Sequence, residues 1–159
     1  MSDLTYRPAQ PDDLDLTYRW ANDPEVRKAS FHSDPISFEM HQAWFYAKLS
    51  SANSLILIFL HRSNPAGIVR FELEADRTVI GISIDADSRG KGLGRPMLLQ
   101  ACKHYFSNHQ QAVFAYIKKD NSSSIKAFKN AGFRFSCEDE VNGIPCYLYK
   151  LESYEQLPE

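Results

Sequence analysis

Arg89-Gly90-Lys91-Gly92-Leu93-Gly94 stands between a β-branched run, Thr78 to Ile84, and a helical pattern that begins near Arg95. A strand that feeds a basic glycine loop into a helix start makes a phosphate cradle. Three alternate glycines remove the Cβ atoms that would hold a ligand off the backbone, so consecutive N–H groups can aim at anionic oxygens. The helix behind adds its unpaired N–H groups and the positive end of its dipole, about 0.3–1 kcal/mol for each exposed anionic charge. Arg89 and Lys91 supply counter-charge. Spacing excludes two better-known phosphate loops. A Walker loop needs Gly-x-x-x-x-Gly-Lys and then Ser or Thr, whereas Gly94 is followed by Arg95-Pro96, with no hydroxyl for magnesium. A dinucleotide fingerprint needs Gly-x-Gly-x-x-Gly, and these glycines alternate. A mere flexible turn would not need strand, basic glycines and helix in this order.

Length and charge bound what surrounds the loop. With 159 residues the chain has room for one domain, taken as residues 1–151, with the acidic end 152–159 expected to fray. The formal net charge of −2 lacks the basic field of a general nucleic-acid binder, so no nucleic-acid partner is expected. Cys102, Cys137 and Cys146 are odd in number and lack Cys-x-x-Cys spacing, which points to reduced thiols, a cytoplasmic protein and no metal site. The longest apolar stretch, Leu55 to Leu60, is too short to span a bilayer, and no membrane partner is expected.

Outward from the loop, the hydrophobic pattern gives the element order. Leu4 to Arg7 is a first strand. Asp12-Asp13 can start a helix that stops at Asn22-Asp23-Pro24, and Ser37 caps a second one carrying Phe38, Ala43, Trp44 and Phe45. Leu55 to His61 is an apolar strand, joined by Ser63-Asn64-Pro65 to Gly67–Glu74. In that second strand Ile68, Arg70, Glu72 and Glu74 share a wet face, and Val69, Phe71 and Leu73 a buried one. After the loop, Met97, Leu98, Ala101, Cys102, Tyr105 and Phe106 recur at helical spacing; there Cys102 is core rather than nucleophile. Ala112 to Ile117 is a strand, Asn121 caps a helix ended by Gly132, and Phe133–Val141 and Ile144–Leu151 form a hairpin across Asn142-Gly143. The order β-α-α-β-β-β-α-β-α-β-β predicts an α/β fold, a mixed central sheet flanked by helices.

Two motifs in this order carry a resemblance. Arg89-x-x-Gly92-x-Gly94 resembles motif A of the GNAT superfamily of N-acetyltransferases. Asn121-x-x-Ser124-Ile125-Lys126-Ala127-Phe128-Lys129-Asn130-Ala131-Gly132-Phe133 resembles its motif B, a helix opened by Asn after the fifth strand and closed by Gly-Phe. The resemblance runs from about Gly67 to Leu151 and implies a GNAT fold with acetyl-coenzyme A as cofactor. It implies that the backbone of Arg89, Gly90, Lys91, Gly92, Leu93, Gly94 and Arg95 holds the pyrophosphate. The backbone of Ile82, Ser83 and Ile84 would pair with the pantetheine arm and polarise the thioester carbonyl, and Asn121, Ser124 and Phe128 would border the cofactor from motif B.

Acetyl transfer also needs a proton acceptor for the amine and a fate for the thiolate. Glu72, on the wet face beside the motif A strand, is the expected acceptor, acting directly or through water; Glu74, Asp85 and His41 are alternatives. Many relatives carry Tyr four residues before the motif B Gly, and here that residue is Phe128, which cannot donate a proton. Tyr116 is the first substitute, ahead of Tyr147, solvent, and a thiolate that simply leaves with help from Asn121 and the helix dipole.

The front third, Arg19-Trp20-x-Asn22-Asp23-Pro24-x-Val26-Arg27 with His41-x-x-Trp44-Phe45, is similar to relatives that acetylate nucleotide-linked amino sugars in pseudaminic-acid-type pathways. The acceptor implied is a small amine, the 4-amino group of a UDP-linked amino-dideoxy sugar. Arg27 and Arg70 are expected at its diphosphate, and Trp44, Phe45 and His41 along the acceptor. A protein N-terminal or ribosomal-protein acetyltransferase is the alternative enzyme, and a non-catalytic acyl-coenzyme A module the alternative of another class. Oligomeric state is left open.

Overall fold

Seven strands, β1 (Leu4–Pro8), β2 (Ser54–His61), β3 (Asn64–Leu73), β4 (Thr78–Ile84), β5 (Val113–Lys118), β6 (Arg134–Val141) and β7 (Ile144–Leu151), form one mixed sheet in the computed structural model, which describes residues 3–159. Their order is β1-β2-β3-β4-β5-β7-β6. Neighbours are antiparallel throughout, except that β4 and β5 run parallel. The helices are α1 (Leu14–Ala21), α2 (Pro24–Ala29), α3 (Phe38–Leu49), α4 (Gly94–Phe106) and α5 (Ser122–Asn130). This is the single mixed α/β architecture the pattern predicts, with one helix more in the front third.

That extra helix, α2, arises where the sequence suggested only a stop. Asp23 is its N-cap, its side chain accepting the Glu25 N–H at 2.9 Å, and Pro24 occupies the first turn, where its missing donor costs nothing. A second difference lies in the β2–β3 hairpin. Its turn residues are Arg62 and Ser63, at φ 52° and 69°, so β3 starts at Asn64 rather than Gly67. Such turns usually announce themselves by Asn or Gly, and this one has neither at its centre.

Alternation along β2 and β3 sends side chains to two cores. One face, through Leu57, Phe59, Val69, Phe71 and Ile80, packs on α4 and α5, which add Met97, Leu98, Cys102, Tyr105 and Phe128. Each large side chain buried there is worth about 1.5–3 kcal/mol. Cys102 sits fully inside this core, and burial pushes its thiol well up, so it is inert packing. The other face was expected to be wet, and it is covered instead. Leu14, Trp20 and Phe45 from α1 and α3 lie on Ile56, Ile58 and Ile68, leaving Arg70 and Glu72 half-buried.

The back of the chain follows its local signals closely. Helix α5 ends with Gly132 at φ 100°; the Gly132 N–H reaches the Lys129 carbonyl and the Phe133 N–H the Phe128 carbonyl, at 3.1 and 3.0 Å. Phe133 closes edge-on against Phe128 at 5.0 Å, the hydrophobic contact that goes with this left-handed cap. Asn142-Gly143 turns the last hairpin with both residues at positive φ. Residues 152–159, for which the sequence suggested fraying, do carry contacts. Tyr154–Gln156 makes a 3-10 turn, Leu157 packs on the main core, and a Cβ at Gly132 would meet the Gln156 carbonyl at 2.6 Å.

Candidate functional site

The sheet opens at its one parallel joint. β4 and β5 are in register only at Thr78↔Val113 and Val79↔Phe114, so from Ile80 to Ile84 the β5-facing edge of β4 has no partner strand. A cleft of about 1590 Å³ runs through this opening. One half is lined by Ile80 to Ile84, the glycine loop and the start of α5; the other by Glu25, Val26 and Lys28 to Phe31, with Arg70, Glu72, Glu74, Tyr116 and Asp139 to Val141.

In the first half, Ile82, Ser83 and Ile84 offer the edge just described, and Gly90, Gly92, Leu93, Gly94 and Arg95 form the wall beyond it. Gly90 and Gly92 lie at φ 75° and 71°, with nothing within 4 Å of where a Cβ would stand. Glycine is needed there for the sense of the backbone, not for room. Side chains cap α2, α3 and α5 through Asp23, Ser37 and Asn121, but none caps α4. Its first N–H groups therefore point out of the loop without an internal acceptor from a side chain, the arrangement that suits a diphosphate.

The loop's charged residues do less than the sequence implied. Arg89 Nη2 pairs with Asp23 Oδ1 at 2.9 Å, joining the glycine loop to α2. Burial alone would raise the Asp23 carboxyl, but Arg89 and the capped N–H groups hold it below its ordinary value. Lys91 is exposed and faces a separate depression with Arg19, His61 and Asp85, outside the cleft. Arg95 donates from Nε to the Asn130 carbonyl at 3.0 Å, so its guanidinium sits on the C-terminal end of α5. Asn121 accepts the Ser124 N–H at 3.2 Å, and both residues border the cleft. Phe128 also reaches the lining but is 3% exposed, its ring engaged with Phe133.

In the second half, strand register aligns the chemistry. Glu72 is paired with Val79 and Arg70 with Gly81, while Val79 is also level with Phe114; two residues on, Tyr116 stands across the opening from Gly81. Residues in register share a sheet face, so Arg70, Glu72 and Tyr116 face the same side. Glu72 Oε2 accepts from Lys48 Nζ at 3.0 Å and from Ser54 Oγ at 2.8 Å. Tyr116 Oη accepts from Arg77 Nη1 at 3.0 Å. Arg70 lies over Gly81, stacks on Trp44 at 5.7 Å, and has no carboxylate within ion-pair distance among the described residues. Burial pulls its guanidinium below the ordinary value, Glu72 opposes this and Arg27 adds to it; it stays a cation.

Four expected acceptor residues turn out to be occupied elsewhere. Arg27 donates to the Ala21, His32 and Asp34 carbonyls at 2.7, 2.6 and 3.3 Å and to Ser30 Oγ at 3.2 Å, a clamp on its own segment outside the cleft lining. His41 is 3% exposed, stacked on Phe45 and bonded through Nε2 to Thr17 Oγ1 at 2.9 Å. Because the Thr17 hydroxyl gives its proton to the Leu14 carbonyl, the network assigns the proton to His41 Nε2. Burial, then Arg70, pushes the His41 imidazole below its usual value, so it is neutral core and no base for the cleft. Trp44 supports Arg70 from beneath instead of lining the cleft, and Phe45 is wholly buried. Of the alternative bases, Glu74 lines the rim, whereas Asp85 accepts the Trp20 indole N–H at 2.7 Å away from it.

Sequence reasoning passed over Arg77, Lys48 and Ser54, which hold Tyr116 and Glu72, and Asp23, which holds Arg89. Only Asp23 had a usable signal, its cap position before Pro24. It also passed over the acidic rim made by Glu25, Asp120, Asp139 and Glu140. The arrangement suits an extended ligand with a diphosphate, seated along β4, and an amine brought between Glu72 and Tyr116.

Residues 3–134 match the family model described as the acetyltransferase (GNAT) domain. A search of curated proteins returned no match. Among solved structures, a domain from Methanocaldococcus jannaschii DSM 2661 is 26% identical, with 95% of this chain and 99% of that one covered at a TM-score of 0.81. The aminoglycoside acetyltransferase AAC(6′)-Ib in complex with ribostamycin and coenzyme A is 16% identical, with 97% and 95% covered at 0.84. Spermidine N-acetyltransferase from Vibrio cholerae with coenzyme A and spermine is also 16% identical, with 93% of each chain covered at 0.80. At these identities the last two share the fold.

Proposed function

This chain belongs to the acetyltransferase (GNAT) domain family and is an N-acetyltransferase that uses acetyl-coenzyme A, and we propose that its acceptor is the 4-amino group of a UDP-linked amino-dideoxy sugar. The cofactor supplies an activated thioester. The residues described fit it: an unpartnered strand edge leads to two left-handed glycines and a helix start without a side-chain cap. In this reading the edge at Ile82 to Ile84 holds the arm, and the loop from Arg89 to Arg95 holds the diphosphate by backbone N–H groups. Glu72, oriented by Lys48 and Ser54, takes the ammonium proton through water, and Tyr116 gives a proton to the departing thiolate.

The acceptor rests on one observation. Arg70 holds its charge half-buried in the cleft, braced on Trp44 and, among the described residues, without a carboxylate at ion-pair distance, which suits an anionic group carried by the acceptor. With Arg27 occupied, this single guanidinium does the work assigned to two. A second reading has its own observation: Glu25, Glu74, Asp120, Asp139 and Glu140 line the same cleft, a rim that favours a polycationic amine. Two structurally similar proteins are an aminoglycoside and a spermidine acetyltransferase.

Coenzyme A release should be compared with a UDP-linked 4-amino sugar, spermidine and an N-terminal peptide as acceptors. The nucleotide sugar is expected to give the highest kcat/KM by about tenfold or more, and Arg70→Met to raise its KM about tenfold while leaving the acetyl-coenzyme A KM unchanged, roughly one charge-assisted contact. Turnover of spermidine or the peptide with none of the sugar would overturn the reading.

A further inference from the structure

We infer that Arg77 is the positioning residue that makes Tyr116 the proton donor in place of the tyrosine absent at Phe128; this rests on the acetyltransferase reading above. Phe128 has no proton to give and turns its ring into the core against Phe133. Across the opening, Tyr116 shares a sheet face with Glu72, and the two flank β4 from β5 and β3. A proton acceptor and a proton donor on opposite sides of one reacting group is the arrangement the transfer needs.

Arg77 reaches this position from the β3–β4 turn, where its carbonyl accepts the Glu74 N–H at 2.8 Å. Its guanidinium lies 4.5 Å from the Phe114 ring centre and donates from Nη1 to Tyr116 Oη at 3.0 Å. Arginine has no lone pair to receive a proton, so in this bond the phenol can only accept, and its own O–H is left to aim elsewhere. The same guanidinium stabilises the negative charge that appears on the phenol oxygen as that proton leaves. Lys150 also lies over Phe114, at 5.3 Å, but it is paired with Glu152 at 2.6 Å. Asp76 approaches Arg77 only to 3.9 Å with its side chain 77% exposed, so Arg77 keeps its charge for Tyr116.

The protons balance. The amine lone pair forms the C–N bond to the thioester carbonyl carbon; as the C–S bond breaks its electron pair goes to sulfur, which takes the Tyr116 proton. Of the two protons the acceptor ammonium loses, one restores the phenol and the other passes by way of Glu72 to solvent.

The test is a double-mutant cycle on the full chain with Tyr116→Phe, Arg77→Met and both, read as kcat and as acetyl-coenzyme A KM, with Arg77→Lys as the conservative variant. Tyr116→Phe is expected to lower kcat about a hundredfold and Arg77→Met about tenfold, with KM moving less than threefold. In the Tyr116→Phe background Arg77→Met should cost less than twofold, and Arg77→Lys should recover part of the loss. The ¹³Cζ resonance of Tyr116 in the free protein should move on Arg77→Met, a readout that needs no turnover. Additive losses in kcat, full kcat in Tyr116→Phe, or an unmoved resonance would each overturn the assignment. Failure of the wild type to release coenzyme A with any amine would instead strike the acetyltransferase reading, leaving the resonance to judge the Arg77–Tyr116 bond.

Discussion

The front third, α1 to α3, and the strand-loop-helix unit from β4 to α5 treat their polar groups in opposite ways. In the front third the side chains bond one another and their own backbone. Arg27 closes a loop with four hydrogen bonds, the Asn22 side chain bonds both the N–H and the carbonyl of Ile36, and His41 is tied to Thr17. In the second unit it is backbone that is left open: the β5-facing edge of β4, the left-handed glycines and the start of α4. One region is held together by its polar side chains; the other is poised to bind with its main chain. A strand edge and a helix end do not collapse on themselves when no ligand is there, whereas an arginine finds the nearest carbonyl.

Removing Arg27 probes this contrast most strongly. Arg27→Met leaves the Ala21, His32 and Asp34 carbonyls without their donor, and about 2–3 kcal/mol of stability should go with it, several degrees in Tm by thermal unfolding. Acetyl-coenzyme A affinity should change little. Loss of nucleotide-sugar affinity at unchanged Tm would mean that Arg27 leaves its clamp for the acceptor, and the contrast would break.

Gly92→Ala probes the other side with a smaller effect. A Cβ there meets nothing, but at φ 71° it strains the backbone by about 1–2 kcal/mol. Alanine lets the free loop relax out of the left-handed region, so the ligand must restore it at that cost, and calorimetry should register a coenzyme A Kd some five- to thirtyfold weaker. An unchanged Kd would show that the phosphate site does not need the left-handed turn.

The smallest effect concerns His41. Burial and Arg70 keep it neutral in the fold, so its folded value lies below its unfolded one. The unfolded chain therefore takes up the proton first on acidification. Stability is fully present above the ordinary histidine range, about pH 6.5, and falls as pH drops through it toward the folded value. His41→Gln should flatten that fall, read as urea midpoints at pH 7 and pH 5; an equally steep fall would remove His41 from the front core's pH response.

The same contrast sets what could be read from the residues. The glycine loop, Gly132 and Asn142-Gly143 were legible because each owes its shape to backbone restrictions that the residue itself carries. That Arg70 and Glu72 share one face of β3 followed from alternation, but not that α1 and α3 would cover that face. The partners of Arg89, Arg27 and His41 were not legible, since a side chain's partner depends on which distant segment arrives beside it. Nor was the Arg62-Ser63 turn, whose residues carry no preference for positive φ. His41 and Trp44 show how a pattern can name the right neighbourhood and the wrong role, for both sit beside Arg70, one as packing and one as its platform.

The joint between β4 and β5 also has a mechanical meaning. Four strands on one side and three on the other meet over two residue pairs, at Thr78 and Val79, and Thr78 is pinned inside by Tyr105 at 2.8 Å. The sheet is a pair of tongs with its pivot buried and its jaws apart. Whatever lies lengthwise between the jaws acts as a cross-brace, replacing the rungs the two strands never form. At a hundredfold excess over its Kd such a brace adds about 2.7 kcal/mol to the folded state. The stability of the folded state is thus set in part by how much bridging ligand surrounds it.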